Sequence, residues 1–266
     1  IVNVTPDSFS DGGMLRTVDD VRRHVDRLAE EGADVIDIGG ESTRPQGAMP
    51  VGVDDELRRV LPAVQSTIAD FPGIPVSVDT VKARVAAEAL AAGASIVNDV
   101  SAFRLDPEMA KVCAHGRSGV VLMHSRGDVA DMATFVHAGY GADAVGEVIA
   151  ELSTRVASAV DAGVERTRIV IDPGIGFSKR GEQSLAMLAQ MRRFTEFGFP
   201  VLVGVSRKRF IGEITRAASP ADRMAGTVGA NVVALERGAR LFRVHDVKPS
   251  RDALDVAWAI MQSASV

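Results

Sequence analysis

The stretch "IVIDPGIGFSKR", residues 169–180, contains a strand, a turn and the approach to a helix. Its first three residues are β-branched, which predicts a buried strand, and the strand ends on the carboxylate of Asp172. A proline and two glycines follow at once and indicate a turn. Helix-forming sequence then returns. A strand that ends on an acid and leads through a turn into a helix is the repeating unit of an α/β protein.

The same unit recurs along the chain, because short β-branched runs alternate with longer runs of helical period. The predicted strands are residues 1–4, 35–39, 76–79, 95–98, 120–124, 169–172, 201–204 and 241–245. The predicted helices are residues 18–31, 56–70, 82–92, 107–114, 143–162, 183–197, 221–237 and 250–263. Four of these helices end at or near a glycine, the usual C-terminal stop: Gly32, Gly93, Gly163 and Gly238.

Eight units predict one domain over residues 1–266, with the α/β fold of a (β/α)₈ TIM barrel. An open doubly wound sheet is the alternative, and the count of eight favours the barrel. The sequence starts within the first predicted strand, which indicates a chain truncated at that point. The net charge of −5 argues against a nucleic-acid or membrane partner, and no apolar run has the length of a membrane helix. The lone Cys113 suits the reducing cytoplasm.

Polar residues collect where the predicted strands end, which in a barrel is the end that carries the active site. They are Asn3, Asp37, Asp79, Asn98, Asp99, His124, Asp172, Ser206, Lys208, Arg243 and His245. Three acceptors suit a donor-rich heterocycle: Asp79, Asn98 and Asp172. Four basic residues suit a phosphate or diphosphate: Arg44, Lys208, Arg243 and His245. No glycine-rich phosphate motif is complete, so side chains are expected to hold the diphosphate, and displacement of that diphosphate is the predicted reaction.

Seven motifs, in order, resemble those of dihydropteroate synthase of folate biosynthesis. They are "NVTPDSFSDGG" (3–13), "DIGGESTRP" (37–45), "SVDT" (77–80), "NDVS" (98–101), "DPGIGF" (172–177), "SRK" (206–208) and "RVHDV" (243–247). The resemblance implies a TIM-barrel transferase that condenses 7,8-dihydropterin-6-ylmethyl diphosphate with 4-aminobenzoate and releases diphosphate, with Mg²⁺ as cofactor. It also implies a cytoplasmic homodimer that is a sulfonamide target, and the last helices are candidate subunit contacts.

The resemblance also assigns residues. It implies that Asp79, Asn98 and Asp172 bind the pterin and that Asn3 binds Mg²⁺. The implied diphosphate ligands are Thr43, Arg44, Arg243 and His245. Lys208 would lie between the pterin and the aminobenzoate, with Ser206, Pro45 and Phe177 near the benzoate. The predicted catalytic residues are Lys208, Asp172, Arg243 and His245.

Two positions depart from the family pattern. Gln46 separates Pro45 from Gly47, and "GFSKR" at 176–180 replaces the common "GFGKT" or "GFAKT". Both departures flank the aminobenzoate side, so they bear on substrate affinity and sulfonamide susceptibility. The alternatives are a pterin-dependent methyltransferase of the methyltetrahydrofolate type, which needs no diphosphate site, and a catalytically silent pterin-binding paralogue. A Schiff-base aldolase that uses Lys208 is disfavoured, because Arg207 and Arg209 indicate anion binding.

Overall fold

The structure is a computed structural model that describes residues 1–5, 17–42 and 50–263. Strands and helices alternate along the described chain. The strands are β1 (Val2–Asn3), β2 (Ile36–Gly39), β3 (Val76–Asp79), β4 (Ile96–Asp99), β5 (Gly119–Met123), β6 (Ile169–Asp172), β7 (Leu202–Val203) and β8 (Leu241–Phe242). The helices are α1 (Val18–Glu30), α2 (Val53–Asp70), α3 (Ala83–Ala91), α4 (Met109–Gly116), α5 (Ala144–Asp161), α6 (Gly181–Ala189), α7 (Met191–Thr195), α8 (Arg209–Thr215), α9 (Met224–Glu236) and α10 (Val247–Ser263).

All of these strands pair in parallel and in chain order. Strands β1 to β6 form one sheet and β7 pairs with β8. An Ile171–Val201 bridge connects the two groups, and the amino group of Ile1 donates to the Val244 carbonyl at 3.2 Å. A doubly wound sheet requires a reversal of strand order, and β1 to β6 have none. The predicted α/β fold with a (β/α)₈ barrel is confirmed.

The strands are buried on both faces because helices cover their outer side and side chains fill the barrel. Ile36 and Ile38 in β2 are fully buried, and β3 and β6 follow the same pattern. Helix α1 starts at a capping box in which the Thr17 hydroxyl accepts from the Asp20 amide. The glycines predicted to stop helices have positive φ angles, as at Gly93 with 107°.

Two helix predictions were incomplete. The helix predicted over 183–197 is divided into α6 and α7 at Gln190, whose φ and ψ of −108° and 26° interrupt the helical backbone. Helix α8 was not predicted, because seven residues are too few to show a period. It places Phe210 and Ile211 in the core directly after the "SRK" motif. None of the described helices is long and apolar enough to span a membrane.

Candidate active site

The predicted acceptors lie at the C-terminal ends of strands β3, β4 and β6 of one sheet. Asp79 ends β3 and pairs in register with Asn98 of β4, while Asp172 ends β6. Asn98 and Asp172 are each 4% exposed. Hydrogen-bond acceptors at such depth need donors, and within the barrel opening those donors can come from a bound ligand.

Asp172 stabilises its own turn and keeps acceptor capacity. Its Oδ1 accepts from the Gly174 amide at 2.7 Å, and no described residue donates a hydrogen bond to its Oδ2. Burial raises the pKa of Asp172 to about 6, although the Gly174 amide opposes that rise. Gly204 leaves room beside this oxygen, since an added Cβ would lie 3.7 Å from Oδ2. The carboxylate is therefore ionised at neutral pH and available to a ligand N–H.

Arg243 lies between two carboxylates. Its Nε is 2.6 Å from Oδ2 of Asp37, and its Nη2 is 2.6 Å from Oδ2 of Asp79. Oδ2 of Asp37 also accepts from the side-chain NH₂ of Asn98 at 3.3 Å, while its buried Oδ1 has no partner among the described residues. Burial raises the pKa of Asp79, and Arg243 opposes this rise. Arg243 is thus connected to the predicted pterin ligands as well as to the predicted diphosphate region.

Lys208 lies against the sixth βα loop (residues 173–180). Its Nζ is 3.8 Å from the ring centroid of Phe177, and an added Cβ at Gly176 would be 3.1 Å from its Cδ. Burial lowers the pKa of Lys208 to about 8, and the Asp172 carboxylate opposes that fall. The ammonium therefore remains largely charged at neutral pH while it lies on an aromatic face.

The loops after β7 and β8 are joined by side chains. The Ser206 hydroxyl lies 2.9 Å from Nδ1 of His245 and accepts from the His245 amide at 3.1 Å. Arg207 forms a two-point ion pair with Asp246, with contacts of 2.6 and 3.0 Å. Burial, together with nearby cations, lowers the pKa of His245 well below its usual value. His245 is therefore neutral at pH 7, and the fixed positive charge of this region comes from the arginines and Lys208.

Four of the residues singled out from the sequence lie outside the described residues: Thr43, Arg44, Pro45 and Gln46. Asn3 ends β1, is partly buried and pairs in register with Gly39. Within the described part of the chain, no three His, Cys, Asp or Glu residues form a metal-binding group. Asn3 offers one amide oxygen, a ligand atom that suits Mg²⁺ when phosphate oxygens complete the coordination.

Residues 1–245 match the family described as pterin binding enzyme. The chain belongs to the pterin binding enzyme family. One relative is the dihydropteroate synthase of Bacillus subtilis (strain 168), which is 43% identical over 248 residues and is covered to 82%, with 93% of this chain aligned. The predicted resemblance to dihydropteroate synthase is confirmed.

Two solved structures place this chain beside pterin binding enzymes with ligands. The Xanthomonas albilineans dihydropteroate synthase with 4-aminobenzoic acid has a TM-score of 0.89 and 49% identity, covering 98% of this chain and 91% of that chain. The Yersinia pestis dihydropteroate synthase in a sulfonamide drug complex has a TM-score of 0.92 and 36% identity, covering 98% and 92%.

Beneath the sixth βα loop of this pterin binding enzyme lies a buried cluster that the sequence did not predict. Lys179, 1% exposed, contacts Nδ1 of His124 at 2.9 Å and donates to the Gly174 and Phe177 carbonyls, each at 3.1 Å. His124 Nε2 lies 3.0 Å from Glu151. Burial lowers the pKa of Lys179 to about 7 and that of His124 to about 4. His124 was open to a ligand role, and here it supports the loop.

Lys179 was not singled out from the sequence, for a simple reason. In the sequence it stands in the polar run "SKR", which has the composition of a solvated loop. Its side chain folds back under its own loop, where its ammonium finds three acceptors. A lysine carries three donors and is rarely buried unless they are satisfied. The spacing of residues in the sequence does not indicate that the Lys179 side chain folds back beneath its own loop.

Proposed function

We propose that this protein is a dihydropteroate synthase. It condenses 7,8-dihydropterin-6-ylmethyl diphosphate with 4-aminobenzoate and releases diphosphate. The main observation in support of the proposal is one group of acceptor and cationic side chains at the C-terminal end of the barrel. Asp79, Asn98 and Asp172 supply acceptors there, beside the cations Lys208 and Arg243. Membership of the pterin binding enzyme family and the B. subtilis relative support the same activity.

The acceptors bind the pterin edge. A pterin carries an amino group and ring N–H groups, and these match the oxygens of Asp172, Asn98 and Asp79. The C–O bond between the pterin methylene and the diphosphate then breaks, and both electrons leave with the oxygen. Positive charge grows on the pterin as the diphosphate departs. The fixed carboxylates stabilise that charge because they are oriented before the reaction begins.

The cationic side of the site receives the leaving group. Arg243 and Lys208 neutralise charge as it develops on the diphosphate, and neutral His245 can donate a hydrogen bond to it. Asn3 would hold Mg²⁺ together with the diphosphate oxygens. When bound, Mg²⁺ supplies further neutralisation of the leaving group. A titration of the protein with Mg²⁺ and diphosphate tests this, since Asn3→Ala should weaken their joint binding.

The aminobenzoate reacts from the side of Phe177 and Lys208. The ammonium of Lys208 can pair with the carboxylate of 4-aminobenzoate or with the polar edge of the pterin, and the Phe177 ring forms an apolar wall. The arylamine nitrogen attacks the methylene carbon and forms the new C–N bond. It then loses one proton to solvent or to the released diphosphate. The substrates thus yield dihydropteroate, diphosphate and a proton, with no covalent bond to the enzyme.

The test is a reconstituted reaction. Incubation with the pterin diphosphate, 4-aminobenzoate and Mg²⁺ should release diphosphate and form dihydropteroate in equal amounts. Omission of 4-aminobenzoate is the control, and it should abolish dihydropteroate formation. Diphosphate release without dihydropteroate, or no release at all, would contradict the proposal.

Replacement of Lys208 by methionine should impair aminobenzoate use without loss of stability. Burial lowers the lysine pKa to about 8, so the folded state disfavours its charge and methionine removes that cost. The KM for 4-aminobenzoate should rise at least tenfold, since hydrogen bonds to charged groups contribute roughly 1.5–3 kcal/mol. Steady-state kinetics and thermal melting measure both. A fall in melting temperature with unchanged KM would identify the lysine as structural.

Sulfonamides, which mimic 4-aminobenzoate, should inhibit by competing with it. They should bind more tightly once the pterin diphosphate is present, because that substrate completes one wall of their site. Inhibition patterns with each substrate varied in turn measure this. Competition with the pterin diphosphate instead would contradict the geometry around Phe177 and Lys208.

The proposal includes a cytoplasmic homodimer. Apolar side chains are exposed on the last two helices, namely Val233 on α9 and Val256, Trp258 and Ile260 on α10. Val256 and Ile260 are four residues apart and share one face of α10, and exposed apolar side chains on one face favour a subunit contact. Sedimentation equilibrium tests the dimer, and Ile260→Lys should dissociate it.

A further inference from the structure

Ser178 occupies an unusual backbone position for a serine. Its φ angle is 48°, in the left-handed region that non-glycine residues rarely adopt, and its side chain is completely buried. Such strain persists where surrounding contacts enforce it. The contacts of the serine hydroxyl show what holds the residue there.

The hydroxyl of Ser178 connects two loops. Among the described residues, the partners of this hydroxyl all lie in the fifth βα loop (residues 124–143). The Ser178 hydroxyl accepts from the Arg126 amide at 3.0 Å. It lies 2.7 Å from the Arg126 carbonyl and 2.9 Å from the Met132 carbonyl. The Ser178 amide also donates to the Met132 carbonyl at 2.7 Å. One small residue therefore joins the fifth and sixth βα loops at three backbone groups.

The residue before Ser178 contacts the predicted substrate site. Phe177 packs on a small apolar cluster that includes Met132 and Val129 of the fifth loop. Its carbonyl accepts from Lys179 at 3.1 Å, and its ring lies under the Lys208 ammonium at 3.8 Å. The backbone at Phe177 and directly after it is thus fixed, because the buried Lys179 holds the Phe177 carbonyl and Ser178 is bonded to the fifth loop.

We propose that Ser178 is a positioning residue for 4-aminobenzoate: its hydroxyl fixes the fifth loop to the sixth and thereby sets where Phe177 and Lys208 lie. The inference depends on the proposed function, because it assigns Ser178 to one of that reaction's two substrates. The pterin acceptors lie on strands β3, β4 and β6, and of these only Asp172 adjoins the sixth loop. A change at Ser178 should therefore affect one substrate far more than the other.

The test compares Ser178→Ala and Ser178→Gly with the parent. Both variants remove the hydroxyl, and glycine also relieves the positive φ. The KM for 4-aminobenzoate should rise about three- to tenfold in both, the range expected for loss of a buried hydrogen bond. The KM for the pterin diphosphate should stay within twofold. Amide exchange at Arg126 should become faster in both variants, because its N–H loses its acceptor.

Ser118→Ala is the matched control. Ser118 is also buried, but it precedes β5 at the opposite end of the strands, so both KM values should stay unchanged. Equal increases in both KM values at Ser178, or an unchanged KM for 4-aminobenzoate, would overturn the inference. If Ser178→Ala does not fold, the unstrained glycine variant decides. If the parent protein has no synthase activity, the proposed function is wrong. Amide exchange at Arg126 tests the loop contact separately, and an unchanged exchange rate in the Ser178 variants would contradict that contact.

Discussion

Replacement of Asp172 by asparagine is expected to slow the chemical step by about 10²–10³, the range for loss of one preorganised electrostatic group. Asparagine has a single side-chain oxygen. If that oxygen accepts from the Gly174 amide, the NH₂ group faces the pterin in place of an acceptor. The lost negative charge matters most when the departing diphosphate leaves the pterin cationic. In this buried position the effect of the charge is only weakly screened.

The same substitution should not destabilise the fold at pH 8. The pKa of Asp172 is raised from 3.8 to about 6, so the folded state binds more protons than the unfolded state between these values. Stability therefore falls as pH rises through this window, and the cost of about 3 kcal/mol is fully present above it. Asparagine carries no such cost. The melting temperature of Asp172→Asn at pH 8 should match or exceed that of the parent. Any gain in melting temperature over the parent should disappear near pH 4.

Single-turnover kinetics at saturating pterin diphosphate measure the chemical step, and calorimetry measures pterin affinity. Asp99→Asn is the matched control. Burial also raises the pKa of Asp99 to about 6, but its oxygens accept from Ser101 and Phe103 in its own loop. That variant should lose stability and keep the chemical step nearly unchanged. If Asp172→Asn weakened binding alone, with chemistry within twofold of the parent, Asp172 would only position the pterin.

The strands and the acceptors at their ends were predictable because both depend on local sequence. A β-branched run predicts a strand, and the residue that ends a parallel strand lies at the same end as its neighbours' last residues. Asp79, Asn98 and Asp172 follow directly from this rule. The number of units then favours the barrel, which places all the strand ends in one ring.

Partnerships between distant residues were not predictable. Arg243 was assigned to the diphosphate, yet it also pairs with Asp37 and Asp79, which precede it by 206 and 164 positions. Lys179 was not singled out, yet it is buried, with its three donors directed at acceptors from two loops. Such contacts depend on how loops pack, and neither spacing nor composition records that packing.

Replacement of Arg243 by alanine should have the largest effect of any single change in the site. It removes a cation from the leaving group and leaves Asp37 and Asp79 as two neighbouring, unpaired carboxylates. The Arg243 side chain is 25% exposed, so the loss should be smaller than the about 3–5 kcal/mol of a fully buried pair, and the melting temperature should fall by less than roughly 20 °C. Turnover should fall by about 10³ or more, because diphosphate stabilisation and the charge balance around the pterin are lost together.

The pH dependence of pterin binding should reveal the altered charge balance around the pterin in Arg243→Ala. Arg243 opposes the rise in the pKa of Asp79, so without it that pKa rises further and the carboxyl is more protonated at neutral pH. A protonated Asp79 is a poorer acceptor for pterin N–H groups. Pterin affinity should therefore improve more steeply for Arg243→Ala than for the parent as pH is raised from 7 to 9. Calorimetric titrations at both pH values measure this.

Two comparison variants separate the roles of Arg243. His245→Ala should weaken inhibition by free diphosphate but keep the pterin affinity, because His245 contacts Ser206 and neither carboxylate. The double variant Arg243→Ala/Asp37→Asn removes one of the two unpaired charges. It should recover part of the lost melting temperature and pterin affinity without restoring diphosphate inhibition. If it instead restored none of the stability, or if Arg243→Ala bound free diphosphate as tightly as the parent, the dual role of Arg243 would be wrong. The argument for that role is its position, with one guanidinium facing two carboxylates at the end of the barrel where the diphosphate must leave.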